Sequence, residues 1–426
     1  MKKFLLTSLS ILLLSGLVRS SVVIVTLDAP IHPVTSEYIR NSIEKAEKTQ
    51  ASLVIIKMNT PGGLDSSMRE IIEKIISSSV PVVTYVSPSG ARAASAGFFI
   101  GIASDLFIMA PGTNTGAAHP VGISITGQSM DESMADKVTH DAASYIKTLA
   151  EKRGRNMKLA EAAVRESLSY TEKEALEGNL IEFIALNEFE IIDHFDGKKI
   201  NRFDGAETVL RLEGQQVIDL PMSARQKFLL TISNPNLAYI LLMLGLLGLY
   251  FEFSNPGAIL PGVLGAISLL LAIFSFQILP INYVGLILIF LSIGLFILEV
   301  KIQSYGILSI GGITAMVIGS MMLINSPIPE LRPSLKFIIP VALGLSLIFI
   351  FLISLAIKAY RSKVTTGQEG LIGETGTAQT DINPRGKVFI HGELWNAESD
   401  EEISKSSPIK VIAMRDHLTL KVKKED

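Results

Sequence analysis

The chain has 426 residues, is 48% hydrophobic, and carries a net charge of −3 with no cysteine. The missing cysteine excludes disulfides, thiolate metal sites, a cysteine nucleophile and an N-terminal lipoprotein anchor. A near-neutral chain without a basic patch is a poor partner for nucleic acid.

The apolar excess is uneven. Residues 22–230 carry ordinary charge, 236–358 read as hydrocarbon, and 366–426 are polar again, so three segments of different class follow. The first residues, "MKKFLLTSLSILLLSGLVRS", have two lysines and then an apolar run. That is the layout of a secretory signal peptide, here 1–20 with cleavage around Ser20. An uncleaved anchor would export the following domain equally.

Strand and helix patterns alternate across residues 21–222. "SVVIVTL", "ASLVIIKMNT" and "VPVVTYV" read as buried strands, and "DLFIMA" as a fourth. "TSEYIRNSIEKAEKT" has helical spacing, and "PGGLDSSMREIIEKIISSS" is a Gly-Gly turn entering an amphipathic helix. This order predicts an α/β domain with a mainly parallel sheet.

Ser95 stands in "AASAG" just after the third strand. A helix opening there aims free amides, including that of Ala96, at whatever reacts with the hydroxyl. Gly62 and Gly63 can expose a second amide at their turn. The small neighbours leave room for a substrate backbone. Hydroxyl, base and oxyanion donors are the three needs of serine catalysis. Taken alone, "AASAG" fits a helix cap or a packing site as well.

Residues 223–235 read as a juxtamembrane linker. Five apolar segments follow at 236–252, 258–278, 283–300, 305–324 and 337–358, near the roughly 20 residues a bilayer requires. Five crossings from an exported domain leave the C-terminus in the cytoplasm. Lys358, Arg361 and Lys363 then fall inside, as the positive-inside rule prefers, while Arg332 and Lys336 fall outside. No charge lies deep in a segment, which argues against a transporter. Gly311, Ala315 and Gly319 make a small-residue face suited to close packing within the bundle.

Residues 366–426 contain the strand candidates "TGTAQT", "GKVFIHG", "PIKVIAM" and "HLTLKVK". Alternation and turn residues predict a small five-stranded, OB-like barrel. Trp395 reads as core or rim, and protein–protein interaction is the expected role.

"NTPGG" some thirty residues before "AASAG" resembles the Clp-protease/crotonase fold. With "GTNTGAAHPVG", "TEKEALEGNLIEFIA", the five apolar segments and the terminal barrel, the whole chain resembles the long form of the NfeD family. These are membrane-bound serine proteases, also called stomatin operon partner proteins. The resemblance implies a serine endopeptidase with Ser95 as nucleophile and Lys137, in "ADKVTHDAASYIKTLAEKRGRN", as base. A lysine takes a proton only as the neutral amine, a form that burial or a helix N-terminus favours. "SMDE" before it is a candidate cap for that helix.

His119 is the rival base, at the spacing of the histidine in soluble Clp proteases. It could instead shape the substrate groove. Lys147 and Lys152 read as surface residues and His140 as structural. The resemblance further implies apolar peptide substrates and a stomatin/prohibitin-type membrane protein as partner; the apolar segments call for a lipid bilayer, and the oligomeric state stays open between a monomer and the homo-oligomers that Clp-like folds often form. No cofactor or metal is called for. The alternative function is a non-proteolytic membrane scaffold for a stomatin-like protein. Acyl-CoA chemistry, which also occurs on this fold, lacks both an exported CoA pool and a placed glutamate.

Overall fold

The structure is a computed structural model. It describes residues 21–121, 132–254, 257, 259–277, 279, 281–302, 304–324, 332–361, 368–415 and 418–425. The segment read as a signal peptide and most of the "SMDE" cap lie outside the described residues.

In chain order the first elements are β1 (Ser21–Asp28), α1 (Pro33–Lys48), β2 (Leu53–Asn59), α2 (Asp65–Ser77), β3 (Val82–Val86), β4 (Arg92–Ala94) and α3 (Ala96–Ala103). Next come β5 (Leu106–Met109), β6 (Asn114–Gly116), α4 (Glu132–Lys152), α5 (Met157–Arg165), β7 (Ser169–Thr171) and α6 (Glu172–Glu177). The domain ends with β8 (Phe183–Ile184), α7 (Glu188–Phe195), β9 (Lys199–Asn201), β10 (Glu207–Val209) and β11 (Gln216–Asp219).

The strands expected from the apolar runs join one sheet in the order β11-β1-β2-β3-β5-β8. Every pairing in it is parallel. Such strands are covered on both faces, which is why their sequences are apolar almost throughout. Val25, Ile56 and Phe107 face a core with Ile39, Ile71 and Phe98 of three helices. Ile55, Val83 and Ile108 face the opposite core with Ile191 and Phe195 of α7. A second sheet, β4-β6-β7, joins the end of β2 through a bridge between Thr60 and Ala93.

The first helix starts before the expected Thr35. His32 caps it, with Nδ1 accepting from the Val34 amide at 3.2 Å while Thr35 Oγ1 accepts from the His32 amide at 2.9 Å. At the C-terminal end of α3, two arginines close the helix. Arg153 Nε donates to the Ala103 carbonyl at 2.8 Å, and Arg155 reaches the Ile102 and Ser104 carbonyls at 2.6 and 2.9 Å. They satisfy carbonyls that every helix C-terminus leaves open. Asp105 supplies counter-charge to Arg153 at 2.7 Å and to Arg202 at 3.3 Å, and accepts from the Val82 amide.

Residues 223–235, expected as a linker, contain α8 (Ala224–Ile232). Ser223 and Gln226 cap it reciprocally. Arg225 binds Glu37 of α1 at 2.8 Å, and Tyr38 donates to the Leu220 carbonyl at 2.6 Å. The five apolar segments lie in α9 (Pro235–Ser254), α10 (Leu260–Phe276), α11 (Tyr283–Lys301), α12 (Ile307–Met322) and α13 (Leu335–Arg361). Among the described residues Pro235–Phe253 is long and apolar enough to cross a bilayer by itself, and the other helices contribute shorter apolar stretches.

Small residues set the approach of these helices. A Cβ on Gly248 would sit 2.7 Å from the Gly265 Cα, so α9 and α10 touch backbone to backbone. Gly319 meets the Gly285 carbonyl in the same way, whereas Gly311 has only a Leu295 methyl at 3.7 Å. Gly312, pressed on the Phe296 ring, takes the place expected for Gly311.

The last unit is a closed barrel of β12 (Thr375–Ala378), β13 (Arg385–Ile390), β14 (Glu393–Glu398), β15 (Pro408–Arg415) and β16 (Thr419–Lys424), in the order β12-β13-β14-β16-β15. This is the five-stranded, OB-like architecture expected. The strand the sequence reading did not name is β14, "ELWNAE", where Ala397 is the fully buried side chain. Trp395 packs against the barrel core from its rim.

Replacing Asp105 by Ala strands two buried guanidinium groups. Breaking a buried pair from one side costs about 3–5 kcal/mol. The expected result is a clearly lowered thermal unfolding midpoint of the full chain in detergent, followed by circular dichroism. An unmoved midpoint contradicts it.

Candidate functional site

Ser95 joins β4 to α3 in a conformation L-residues rarely adopt, φ 53° and ψ −115°. Its amide donates to the Gly116 carbonyl at 2.9 Å, and its carbonyl accepts from Phe98 at 3.0 Å. The turn thus spends the serine's backbone groups on structure and leaves Oγ unbonded among the described residues. Ala96 is the first residue of α3, where a helix amide has no intrahelical acceptor.

Gly62 packs directly behind the serine. Its φ is +109°, and a Cβ there would lie 2.6 Å from Ser95 Cβ. Gly63 is pressed on the preceding loop, where a Cβ would fall 2.0 Å from the Ile31 carbonyl oxygen. Ile31 donates to Gly62 and accepts from Leu64, each at 2.8 Å, which fixes the turn on both sides. Among the described residues the amides of Gly63 and Ala96 meet no acceptor.

These groups open on one cavity of about 540 Å³. Ser95, Gly63, Ala96 and Lys137 all line it. Leu64, Met68, Phe99 and Val121 make much of its wall, so its surface is mainly apolar. Lys137 lies in the second turn of α4 and is exposed. No hydrogen bond joins it to Ser95. His119 is not among the lining residues, although Ala118 and Pro120 are. Its Nδ1 lies 2.9 Å from the Val164 carbonyl.

The remaining candidates lie elsewhere. Lys147 pairs with Glu161 at 3.2 Å, Lys152 is exposed, and His140 Nδ1 faces Arg165 at 3.3 Å. Among the described residues no cluster of histidine, aspartate and glutamate could hold a metal ion.

Three family descriptions cover most of the chain. They are the NfeD1b N-terminal domain over 21–214, the NfeD integral membrane domain over 236–355, and the NfeD-like C-terminal, partner-binding domain over 368–424. A membrane-bound protease of Pyrococcus horikoshii is 34% identical over 439 positions, spanning 100% of this chain and 98% of its own. The chain belongs to the NfeD family. Membrane protein NfeD1b of Bacillus subtilis is 26% identical over 428 positions, spanning 96% of this chain and 94% of its own.

Two solved structures of a membrane-bound stomatin-specific protease, 1510-N, also align. A lysine-to-alanine variant with a substrate peptide is 33% identical, with TM-score 0.47, and covers 50% of this chain and 98% of its own. A serine-to-alanine variant is 34% identical, with TM-score 0.45, and covers 48% and 99%.

In this NfeD chain Gly97, one of the small neighbours expected to leave room for a substrate backbone, packs on the sheet, as does Gly101 further along α3. A Cβ on Gly97 would strike Thr60 Cγ2 at 2.5 Å, and one on Gly101 would strike the Phe107 ring at 2.3 Å. They let α3 sit down on the sheet. Ala96 is the small residue of "AASAG" that faces the cavity. Sequence reasoning also passed over Arg69, Asp65 and Asp141 in the cavity wall. An Asp and an Arg four apart, directly after the Gly-Gly turn, were the available signal.

His32 was passed over too. Burial pushes it down to about 4, and it caps α1 as the neutral ring beside the Ile31 brace. Above the unfolded value near 6.5 the ring is neutral in both states, and its contribution to stability is complete. As pH falls from 6.5 toward 4, the unfolded chain binds the proton first and stability drops, by an amount on the order of 3 kcal/mol. Below 4 the loss levels off because the folded ring is protonated as well. Thermal melts from pH 7.5 to 4 should show this fall, and His32→Asn, which keeps a capping oxygen, should remove that component. An identical pH slope in the variant argues against His32 as its source.

Proposed function

We propose that the chain is a membrane-anchored serine endopeptidase using a Ser95–Lys137 dyad. The observation that carries this reading is the single cavity where Ser95, Lys137 and two unengaged amides meet apolar walls. Ser95 Oγ attacks the scissile carbonyl carbon while the neutral Lys137 amine takes its proton. The carbonyl oxygen becomes an oxyanion, received by the Gly63 and Ala96 amides. The tetrahedral intermediate collapses, and Lys137 returns the proton to the departing amine. Water activated by the same lysine then cleaves the acyl-enzyme ester. A peptide in the cavity covers Lys137 and removes water from its amine.

Leu64, Met68, Phe99 and Val121 favour apolar peptide segments, and family resemblance points to those of a stomatin-type membrane protein. The C-terminal barrel is the surface for that partner. His119 is the weaker candidate for base, because it is not among the residues that line the cavity with Ser95.

Five bilayer crossings fit the way the helix ends meet. Ser275 Oγ donates to the Ile232 carbonyl, the Asn282 amide to the Leu323 carbonyl, and the Ser334 amide to Asn236 Oδ1. The start of α9, the ends of α10 and α12 and the starts of α11 and α13 therefore gather at one end of the bundle, as up-and-down passes require. With the α/β domain exported, the barrel lies in the cytoplasm.

The test uses the full chain in detergent with an apolar peptide and a fluorophosphonate probe. Ser95→Ala should abolish both cleavage and labelling. Lys137→Ala should lower kcat by at least about 1,000-fold, the scale on which loss of a proton-transfer partner acts, while His119→Ala retains most activity. Cleavage that survives Ser95→Ala overturns Ser95 as the nucleophile, and no cleavage or labelling of the unmodified chain overturns the protease reading and leaves the scaffold alternative. A Gly62→Ala variant should fold but label slowly, since the new methyl group displaces the serine.

A further inference from the structure

The cavity wall contains an arginine that the proposed reaction does not use. Arg69 stands on α2, which begins just after the Gly62–Gly63 turn. Its Nε donates to Asp65 on the same helix at 2.9 Å. Its second arm crosses to Asp141 of α4 at 2.7 Å, one turn after Lys137. The guanidinium carbon lies 4.5 Å over the Tyr145 ring, a further turn along α4. Tyr145 in turn stacks on Phe99 of α3 with centroids 6.0 Å apart. A single planar group thereby touches the oxyanion-turn helix and the lysine helix, and reaches the serine helix through one ring.

From this geometry we infer that Arg69 is a positioning residue: it sets where α4 holds Lys137 relative to Ser95. The inference rests on the Ser95–Lys137 reading. The guanidinium is matched by two carboxylates, so it has no surplus charge to offer an acidic substrate residue. Lysine cannot copy the arrangement, because it lacks the flat fork that meets two carboxylates and an aromatic face together. Arg69, Asp65 and Asp141 are all substantially solvent-exposed, with side-chain exposures of 39%, 67% and 70%. Exposed pairs add little to global stability. What the clamp supplies is therefore placement, and misplacement by an ångström can cost about 100-fold in rate.

The experiment uses full-length protein in detergent, with Arg69→Met, Arg69→Lys and Asp141→Asn. On an apolar peptide, Arg69→Met should lower kcat by about 30- to 100-fold while KM stays within about threefold. Arg69→Lys should recover only part of that loss, and Asp141→Asn should fall between. Hydrogen exchange over residues 132–145 should quicken in Arg69→Met and Asp141→Asn while the thermal midpoint hardly moves.

A loss confined to KM makes Arg69 a substrate-binding group and overturns the inference. So does unchanged kcat, or unchanged exchange along α4. If the unmodified protein shows no Ser95-dependent cleavage, the protease reading fails and the exchange result alone decides whether Arg69 places α4.

Discussion

Ser95 is held at φ 53°, a backbone state that costs an L-residue about 1–3 kcal/mol and persists only when its surroundings over-determine it. The surroundings can be named. Gly116 takes its amide proton, Gly62 leaves no side chain behind it, and α3 is anchored at both ends. Its first turn is pinned through Gly97 on Thr60, and its last carbonyls are capped by Arg153 and Arg155. A relaxed serine would swing Oγ away from the cavity and aim the Ala96 amide elsewhere. The tight packing of α3 is thus the condition under which this hydroxyl and this amide share one cavity.

The neighbouring amide is fixed by other means. Gly63 is held between two hydrogen bonds that its neighbours Gly62 and Leu64 make with Ile31, the residue before the His32 cap. Helix α1 is itself tied to the juxtamembrane helix by the Arg225–Glu37 pair and by Tyr38 on the Leu220 carbonyl. The segment that reads as a linker is therefore part of the frame of the domain. Ser223 and Gln226 explain why it is helical, but that box lies just ahead of an apolar run whose composition dominates any reading of the sequence.

The large-scale architecture was legible because burial leaves a periodic trace. A parallel sheet covered on both faces demands runs such as "SVVIVTL", and apolar helices demand long hydrocarbon stretches. The barrel strand "ELWNAE" left no such trace, since a rim strand buries little beyond Ala397. Ser95 and Lys137 were singled out through resemblance to a family pattern and Gly63 through its turn, and all three line one cavity. The roles of Gly97 and Gly101 were not, because a glycine needed for substrate access and one needed for packing look the same in sequence. Only the position of the Thr60 methyl and the Phe107 ring separates them.

Charge in this domain follows the same division between holding and exposing. The arginines at the closed end of α3 are buried and matched to Asp105 and Glu182, where removing a partner is costly. Arg69 at the open end is matched as fully but sits in water, where the same chemistry contributes little to stability. The first set fixes the helix that bears the serine. The second joins helices that must leave a cavity between them, and a clamp there has to hold distance without filling space. An arginine lying flat on Tyr145 meets that requirement: its charge is spent sideways on Asp65 and Asp141, and the apolar wall of Leu64, Met68 and Phe99 remains uncovered.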